Sequence, residues 1–402
     1  MNLAELPGTL LSAPRGGIPE LVNKDIQKAI TALGAGNGEF AVDTERAMGI
    51  RYSGRAYLVQ IKRRGGEIFL IDPVGIETEL APLAQIMHAE WILHAADQDL
   101  PCLAQLGLSP RRLFDTEIAG LLLGYESVSL QFMTAHVLGY KLAKEHSRAD
   151  WSRRPLEAEL RAYAALDVEL LHELKDKLTV ELERAGRAAW LEEECEYVRT
   201  RPPRPPKKQP WRKAARQNGI KDRRAFRMLE LLWQRRDELA KARDLAPDLV
   251  IPARDLGALA KRRPRSQADV RSAPQMRSRV RKKDIAVWWD AINEAWKSPL
   301  EELPEKLLEK PSLFPPVNRW QHTHRDAYER WNMLRPAVLN YAAQLGIRQE
   351  VLLKPQLQKR AAWEGWKDYS DLQEKLLTWG ARNWQCQEVV KALSATTQQH
   401  SL

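Results

Sequence analysis

Two acidic side chains stand two residues apart at the end of an apolar run near the start of the chain. Asp43 and Glu45 close the segment FAVDTE, whose composition predicts a short strand. Alternate residues of a strand face the same side, so both carboxylates would project from one face. Two such charges about 4 Å apart repel by roughly 4 kcal/mol at an effective dielectric of about 20. The pair therefore favours a bound cation, although an isolated D-x-E is most often two solvated strand-end acids.

A second acidic segment, HAADQDL (94–100), follows the predicted strand EWIL and contains Asp97 and Asp99. Asp97 could cap the helix that begins near Pro101, since aspartate is a favoured residue at that position. Asp99 could project back toward the ends of the strands. The spacing alone does not decide between the two aspartates.

The third segment, LRAYAALDVELL (160–171), predicts a helix on which Tyr163 and Asp167 share a face, because they are four residues apart. A plain hydrogen-bonded pair is the simpler interpretation. Taken together, the three segments offer several oxygen ligands without a His or Cys set, a chemistry that selects Mg²⁺ or Mn²⁺ over zinc. Two such ions about 4 Å apart can hold the attacking and leaving oxygens of a phosphoryl displacement. Tyr163 could orient or deprotonate the attacking water.

The elements around these residues predict an α/β domain that precedes helical ones. Short strand-like runs fill the first hundred residues, and GRAYLVQIKRRGGEIFLID predicts a hairpin in which Gly65 and Gly66 supply positive φ angles. From about residue 116 the apolar period is helical. Strands with interspersed helices, followed by a helical block, indicate a mixed sheet flanked by helices.

Two proline-rich breaks divide the chain, RPPRPPKKQP (201–210) and the segment from Ser298 to Pro316. We therefore predict these segments, by residue number: an N-terminal lead (1–20), an α/β domain (21–198), a basic linker (199–210), a first helical domain (211–297), a linker (298–316), a second helical domain (317–395) and a tail (396–402).

Charge is distributed unevenly over these segments. The net charge of +10 is the sum of −8 over residues 1–200, +16 over residues 201–290 and +2 over residues 291–402. An acidic domain joined to a basic one is typical of a metal-dependent catalytic module beside a module that binds a polyanion.

The three acidic segments, in this order, resemble the motifs of the DEDD superfamily of 3′–5′ exonucleases, and most closely the ribonuclease D family. In that pattern the second motif is a His, four residues and an Asp followed by an apolar residue. His94 and Asp99 fit it, so the resemblance selects Asp99 over Asp97. A Tyr four residues before the last Asp, with Ala162 in the fifth position, indicates the tyrosine branch.

The resemblance implies a fold and an activity. We expect a ribonuclease H-like exonuclease domain followed by two all-α HRDC-type domains, because LLWQRRDELAKARDLAPDLVIPARDLGALAKRRP (231–264) is similar to an HRDC module. The second copy, at 317–395, would be degenerate and lacks the strong basic character of the first.

The implied activity is removal of nucleotides from RNA 3′ ends as nucleoside 5′-monophosphates, in tRNA and structured RNA maturation. Asp43, Glu45, Asp99 and Asp167 would hold two Mg²⁺ or Mn²⁺ ions, and Tyr163 would position the water. The alternatives are a DNA exonuclease of the same superfamily and a non-catalytic RNA-binding protein.

Further residues have weaker assignments. Gln60, inside AYLVQI, is a substrate contact or a strand-interior residue, and His94 is a substrate contact or a structural strand-end residue. Asp115 is expected to cap a helix. We expect a set of basic residues in the first helical domain to bind RNA phosphates, although charge runs are usually solvated helix faces: Lys261, Arg262, Arg263, Arg265, Arg279, Arg281, Lys282 and Lys283.

The remaining sequence features exclude several classes of protein. Cys102, Cys195 and Cys386 lie far apart, so neither a disulfide framework nor a zinc site is indicated. The first residues lack the basic and apolar regions of a secretory signal, and no apolar run approaches the roughly 18 residues of a membrane span. We therefore expect a cytoplasmic protein that contacts no membrane, and nothing in the sequence indicates a protein partner.

Overall fold

The computed structural model of the chain describes residues 8–143, 149–203, 205–276, 282–305 and 314–399. The chain divides into two compact units. The first unit comprises Met1–Glu45, Ala56–Pro202 and Leu313–Leu402, and the second comprises Arg46–Arg55 and Pro203–Ser312. Each unit is therefore assembled from stretches that are distant in sequence.

A six-stranded mixed sheet forms the centre of the first unit. In the sheet the strands follow the order β2-β5-β4-β3-β6-β7; β3, β6 and β7 run parallel, whereas β4 and β5 are antiparallel. A separate parallel pair joins β1 to β8. The strands are β1 Thr9–Leu11, β2 Leu21–Val22, β3 Phe40–Arg46, β4 Ala56–Arg63, β5 Ile68–Ile71, β6 Glu90–Leu93, β7 Arg112–Asp115 and β8 Tyr140–Leu142.

The predicted hairpin is confirmed. Strands β4 and β5 pair antiparallel, with Gln60 opposite Leu70, and Gly65 lies in the turn with a φ of 73°. That left-handed conformation favours glycine, because a Cβ atom would clash there. The expectation that Gly66 also has a positive φ is wrong, because Gly66 does not adopt the left-handed conformation. Its amide donates a hydrogen bond to the carbonyl oxygen of Arg63.

Helices cover the sheet in the first 200 residues. Asp115 caps α4 by accepting hydrogen bonds from the amides of Glu117 and Ile118, which satisfies two of the unpaired donors of the helix start. The helix ends at Gly124, whose φ is 78°. The helices of this part are α1 Gln27–Ala35, α2 Ala81–Ile86, α3 Leu100–Gln105, α4 Thr116–Leu123, α5 Leu130–Met133, α6 Ala158–Glu169, α7 Leu171–Arg184 and α8 Ala188–Thr200.

The last helical segment packs into the same hydrophobic core as the sheet. Buried Leu334, Val338 and Val389 belong to one cluster with Trp91 and Leu178. Its helices are α15 Val317–Thr323, α16 Arg325–Gln344, α17 Gln349–Leu352, α18 Pro355–Glu364, α19 Tyr369–Thr378 and α20 Asn383–Gln399, counted after the helices of the second unit. This segment and the sheet therefore form one folded body.

Polar and aromatic contacts fix that attachment. The rings of Trp190 and Trp384 stack at 4.4 Å, and Glu193 accepts hydrogen bonds from the amides of Asn383 and Trp384 at the start of α20. A carboxylate at a helix N-terminus satisfies donors that have no partner within the helix. Arg187 donates to the carbonyl oxygen of Leu345 at 2.5 Å.

The second unit is helical around its own core. Trp288 is fully buried, as its helical period predicts, whereas Trp233 and Trp296 are only partly buried and pack at the edge of the core. Arginines cover both of these rings: Arg236 lies 3.8 Å from the Trp233 centroid, and Arg265 lies 4.0 Å from the Trp296 centroid. Its helices are α9 Trp211–Gln217, α10 Arg223–Arg243, α11 Pro247–Val250, α12 Ala253–Arg262, α13 Gln267–Ser272 and α14 Ile285–Lys297.

No helix in the described part of the chain has both the length and the apolar character needed to cross a membrane.

The attachment of the last segment depends on a close approach of two glycines. A Cβ atom at Gly124 would fall on the carbonyl oxygen of Gly346, whereas a Cβ atom at Gly186 would meet nothing within 4 Å. Gly124 and Gly186 have similar φ values, 78° and 68°, so alanine would be strained at either position. They therefore form a matched pair of sites that differ in packing.

We expect Gly186→Ala to lower the free energy of unfolding by about 1–2 kcal/mol, the usual cost of a left-handed alanine. Gly124→Ala should cost a further 1–3 kcal/mol or so, because the added methyl group also separates the two segments. Thermal and denaturant unfolding of the two variants measures the difference. Equal destabilisation would contradict the close approach.

Candidate active site

Three carboxylates converge near the carboxyl end of β3, an inner strand of the sheet. Asp43 and Glu45 lie on β3, and Asp167 lies on α6; their ligand oxygens all lie within 4.8 Å of one another. The two residues of β3 face the same side because side chains alternate along a strand. Each of the three side chains is partly buried. A cluster of carboxylates in this arrangement offers a set of hard oxygen ligands.

The cluster is electrostatically unfavourable without a cation. Burial raises the pKa of Asp43 well above its usual range, and the neighbouring Asp99, Asp167 and Glu45 charges raise it further. Burial and the charge of Asp99 raise the pKa of Asp167 to about 7. Like charges in a poorly solvated site disfavour ionisation, so each group holds its proton more tightly. A divalent cation would reverse this effect.

Asp99 lies close to the cluster but is held by a different set of contacts. Its carboxylate is not among the three whose oxygens lie within 4.8 Å. The hydroxyl of Thr44 donates to Asp99 Oδ1 at 2.6 Å, and the thiol of Cys102 donates to the backbone oxygen of Asp99 at 3.1 Å. All three residues are buried. Thr44, between the two acids of β3, therefore orients the acid of the second motif.

The loop that carries Asp99 depends on Asp115. Besides capping α4, as predicted, the buried Asp115 carboxylate accepts from the amides of Ala95 at 3.1 Å and Ala96 at 2.8 Å. Ala95 has a φ of 58°, a conformation that is rare for a residue with a side chain. Burial raises the pKa of Asp115 to about 6. One carboxylate thus joins the end of β7 to the loop between β6 and α3.

Tyr163 lies one helical turn before Asp167 on α6, and its ring is 6.1 Å from that of the buried Trp151. Burial raises the pKa of the Tyr163 phenol, and the charges of Asp167, Glu45 and Asp43 raise it further. The phenol therefore stays protonated near neutral pH. Of the two roles considered from the sequence, this favours orienting a water molecule over deprotonating it.

Ion pairs fix the end of α6. Glu169, two residues beyond Asp167, is only 4% exposed and accepts from Arg15 at 2.7 Å and from Lys62 at 3.2 Å. Arg15 comes from the segment after β1, and Lys62 comes from β4. A buried carboxylate held by two cations is costly to disturb. These contacts connect the helix that carries Tyr163 to the sheet.

The two weaker assignments lie in different surroundings. His94 contacts the hydroxyl of Thr116 at 2.9 Å, and burial lowers the pKa of its imidazole to about 4, so the ring is neutral at physiological pH. Gln60 is 0% exposed within β4, and its amide atoms have no partner among the described residues. A side chain without exposed surface favours the strand-interior interpretation of Gln60.

The sequence reasoning missed Thr44, Cys102 and Trp151. Strand alternation places Thr44 on the face opposite Asp43 and Glu45, which excluded it from consideration. For Thr44 a signal was present, because a threonine inside a buried acidic motif needs a hydrogen-bond partner. No periodicity indicates the contact between Trp151 and Tyr163, because Trp151 lies in an irregular segment.

The chain matches three protein-family models. Residues 22–183 match the 3'-5' exonuclease family, residues 225–292 match the HRDC domain, and residues 314–396 match the 3' to 5' exonuclease C-terminal domain. The exonuclease match contains the acidic cluster, and the predicted fold class is confirmed. The second helical domain matches a model other than HRDC, so the expected second HRDC domain stays a prediction.

Relatives named ribonuclease D give the family. The chain is 31% identical over 281 residues to ribonuclease D of Pseudomonas paraeruginosa, a match that covers 67% of this chain and 72% of the relative. The chain belongs to the ribonuclease D family. A match to ribonuclease D of a Jannaschia species has 34% identity over 182 residues, 43% of this chain, and spans only about half of that relative, 47%.

Solved structures agree with this fold. A protein from Bifidobacterium adolescentis superposes with a TM-score of 0.89 at 35% identity, covering 96% of this chain and 99% of that one. Escherichia coli RNase D, described as an exoribonuclease involved in structured RNA processing, superposes with a TM-score of 0.64 at 23% identity over 95% of this chain and 99% of its own. The second likeness concerns the fold alone.

The raised pKa values predict how pH affects metal binding. A metal ion must displace protons from Asp43 and Asp167, so its affinity should rise with pH up to about 7, by up to about tenfold per unit for each displaced proton. Because folding raises these acid pKa values, the metal-free protein should lose stability as pH rises toward 7. We therefore expect Mn²⁺ to raise the melting temperature more at pH 8 than at pH 5.5.

The measurement is the melting temperature with Mn²⁺ minus that with chelator, since other titrating groups cancel in this difference. Asp43→Asn should reduce the gain at pH 8. Asp290→Asn, at an exposed position of α14, is the matched control. A gain from Mn²⁺ that is equal at both pH values would contradict the assignment of the cluster as a metal site.

Proposed function

We propose that this protein is a metal-dependent 3′–5′ exoribonuclease that releases nucleoside 5′-monophosphates from RNA 3′ ends. The observation that carries the proposal is the convergence of Asp43, Glu45 and Asp167, with oxygens within 4.8 Å, in a chain of the ribonuclease D family. The donor set fits Mg²⁺ or Mn²⁺, because all of the ligands are carboxylate oxygens.

The four acids divide the work unequally. Asp43, Glu45 and Asp167, whose oxygens lie within 4.8 Å of one another, would supply ligands to the proposed ions. Asp99, set apart by its contact with Thr44, would complete the ligand set of one of them. Two bound ions would stabilise the attacking and leaving oxygens and lower the pKa of a bound water.

Tyr163 would position that water through its hydroxyl group. Its raised pKa keeps the proton on the phenol, so the group can donate a hydrogen bond near neutral pH. Trp151 restricts the ring from one side, and the ion pairs of Glu169 fix the end of the helix. Positioning of this kind supplies part of the rate enhancement of an in-line displacement.

RNA is the proposed substrate, and tRNA precursors and other structured RNAs are the proposed natural targets. Membership of the ribonuclease D family supports the choice of RNA over DNA. The net charge of +16 over residues 201–290 supports a polyanionic partner. We propose a cytoplasmic location on the same basis, since RNA maturation requires access to transcripts.

We also propose the domain assignment predicted above, with an exonuclease domain at 21–198, an HRDC domain at 211–297 and a second helical domain at 317–395. The three family-model matches, at 22–183, 225–292 and 314–396, support this order. The packing of the last segment into the core of the sheet supports a structural role for it.

The basic residues of the HRDC domain are proposed phosphate contacts. Lys261 and Arg262 are exposed at the end of α12, and Lys282 and Lys283 are exposed before α14. Two further members are partly engaged within the domain: Arg263 lies 3.6 Å from Asp222, and Arg265 lies over Trp296. Arg279 and Arg281 lie outside the described residues. The exposed lysines and Arg262 are therefore the stronger candidates.

Asp43→Asn should lower exonuclease activity on single-stranded RNA by on the order of a thousandfold or more, since the loss of a metal ligand removes several kcal/mol of transition-state stabilisation. The assay follows release of 5′-mononucleotides from an RNA with a 3′ tail, with Mg²⁺ or Mn²⁺ and with chelator. Asp290→Asn should leave the activity unchanged. Equal activity of wild type and Asp43→Asn would contradict the site assignment.

A matched DNA strand tests the substrate class in the same assay. Strong preference for DNA would exclude the hypothesis that the protein is a ribonuclease. RNA binding without metal-dependent cleavage would indicate a non-catalytic protein.

Replacing Lys261 and Arg262 together by Gln should weaken RNA binding and lower the slope of log affinity against log salt by about 1.4, since each phosphate contact on a single strand contributes about 0.7. Lys213→Gln with Arg216→Gln makes the same charge change on an exposed face of α9 in the same unit. Fluorescence anisotropy over a salt series measures both. If the two pairs change the slope equally, binding depends on overall charge and the assigned patch is wrong.

A further inference from the structure

A cleft lies at the carboxyl ends of β6 and β7, where Asp97 and Asp115 line it. It has a volume of about 350 Å³. One wall comes from α4 and α8, and the facing wall comes from α17 and its flanking residues in the last helical segment. Both walls belong to the first unit. Ligands of open α/β sheets bind outside the carboxyl ends of the strands, and pockets of this size hold small organic molecules.

The two walls are held rigidly. Glu194 of α8 accepts from the guanidinium of Arg382 at 2.8 Å and from the indole of Trp384 at 3.0 Å. Arg382 also lies 4.3 Å from the ring centroid of Tyr197. The stacked rings of Trp190 and Trp384 also belong to this contact between α8 and the last helical segment. A cleft with fixed walls loses little conformational entropy when a ligand binds.

The facing wall carries two positively charged side chains that are not engaged in ion pairs with the described residues. Arg348 and Lys354 flank α17, line the cleft and are exposed. Neither side chain makes an ion pair or a hydrogen bond with any described residue. By contrast, Arg201 in the same cleft is already paired with Asp97 at 2.8 Å. An arginine and a lysine that line one cleft without a partner are suited to a phosphate group.

The rest of the lining suits the other parts of a nucleotide. The carboxylates of Glu117 and Glu350 also line the cleft and can accept hydrogen bonds from the amino groups of a base. An anion without such groups would meet repulsion from them. Five apolar side chains also line the cleft: Ile118, Leu121, Leu122, Val198 and Val351. Asp115, Glu194, Tyr197, Arg382 and Gln385 complete the lining, and Arg382 is paired with Glu194. This combination of cations, acceptors and apolar surface matches a phosphate, a base edge and a base face.

The cleft is close to the acidic cluster along the chain. Asp97 lines the cleft, and Asp99 follows two residues later. Two Cα steps span at most about 7.6 Å. Asp115, which holds the loop that carries Asp99, also lines the cleft. The Cα atoms of Asp97, at the cleft, and Asp99, near the acidic cluster, therefore lie within about 7.6 Å of each other.

We propose that this cleft binds one nucleotide of the RNA strand, upstream of the 3′ end that lies at the acidic cluster. Arg348 and Lys354 contact its phosphate, and the wall formed by α4 and α8 contacts its base. The proposal rests on the exoribonuclease function proposed above. It assigns the last helical segment a direct contact with substrate, in addition to its packing on the sheet.

The test uses one double variant that carries both Arg348→Gln and Lys354→Gln. Its affinity for a 5′-labelled 12-nucleotide single-stranded RNA is compared with that of wild type. Anisotropy in the presence of chelator measures binding without cleavage. We expect the double variant to bind about tenfold more weakly or worse, since charge-assisted hydrogen bonds to phosphate are lost. With Mg²⁺, KM for the same RNA should rise in parallel while kcat is retained, because the acidic cluster is untouched.

Arg319→Gln with Lys359→Gln is the matched control. These two residues are exposed on the same helical segment, have no side-chain partner among the described residues and do not line the cleft. The control should bind RNA as wild type does, and melting temperatures should show that both double variants fold. Equal RNA affinity of the cleft variant and the control would overturn the proposal.

Calorimetry with AMP distinguishes a free nucleotide from an RNA strand. If the cleft variant loses AMP binding but keeps its RNA affinity, the cleft holds free nucleotides and the proposal is overturned. Failure of the proposed function gives a different result: wild type would not shorten the RNA with Mg²⁺ or Mn²⁺, while the comparison in chelator would still decide whether the cleft binds RNA.

Discussion

Repulsion among four carboxylates is the constraint on which the rest of this structure depends. Asp43, Glu45 and Asp167 converge from a strand and a helix, and Asp99 raises the pKa of both aspartates in the group. The charged side chains would turn toward water if only one strand or helix carried them. Contacts from several elements are therefore needed to keep the carboxylates close together. The surrounding contacts therefore act on the backbone and on the carboxylates from outside the cluster: Thr44 on Asp99, Asp115 on the loop before it, and Arg15 with Lys62 on the end of α6. Residues outside the cluster therefore determine where its carboxylates lie.

Much of this site follows from local periodicity. Strand alternation predicts that Asp43 and Glu45 share a face, and helical spacing predicts that Tyr163 and Asp167 do. The structure has all four on the expected elements. Spacing alone could not decide between Asp97 and Asp99, and the resemblance to the exonuclease motifs selected Asp99. In the structure their partners differ: Arg201 for Asp97 and Thr44 for Asp99. Local patterns identify the elements, whereas contacts between distant residues determine which polar group serves which purpose.

The association of the last helical segment with the sheet was also beyond the reach of sequence patterns. Its amphipathic helices predict burial against some partner but do not name it. The partner is defined by particular contacts, among them the Trp190 and Trp384 stack and the carboxylate of Glu193 at the start of α20. Trp233 and Trp296 show the same limit, since arginines cover their rings and leave them at the edge of the core. A helical period reports which face is apolar, and the neighbouring chain decides how deeply it is buried.

The discontinuity of the first unit has a consequence for synthesis of the chain. Its core contains residues from the sheet together with Val389 and Leu393, while Pro203–Ser312 belong to the other unit. A ribosome that adds about 5–20 residues per second needs roughly 14 to 55 seconds to pass from Asp115, at the end of the sheet, to Val389 in the last helix. Once Ser312 has been added the HRDC unit has all of its residues, whereas the core of the first unit still lacks Val389 and Leu393 of the last helical segment. The nascent exonuclease therefore has a window in which molecular chaperones would matter most.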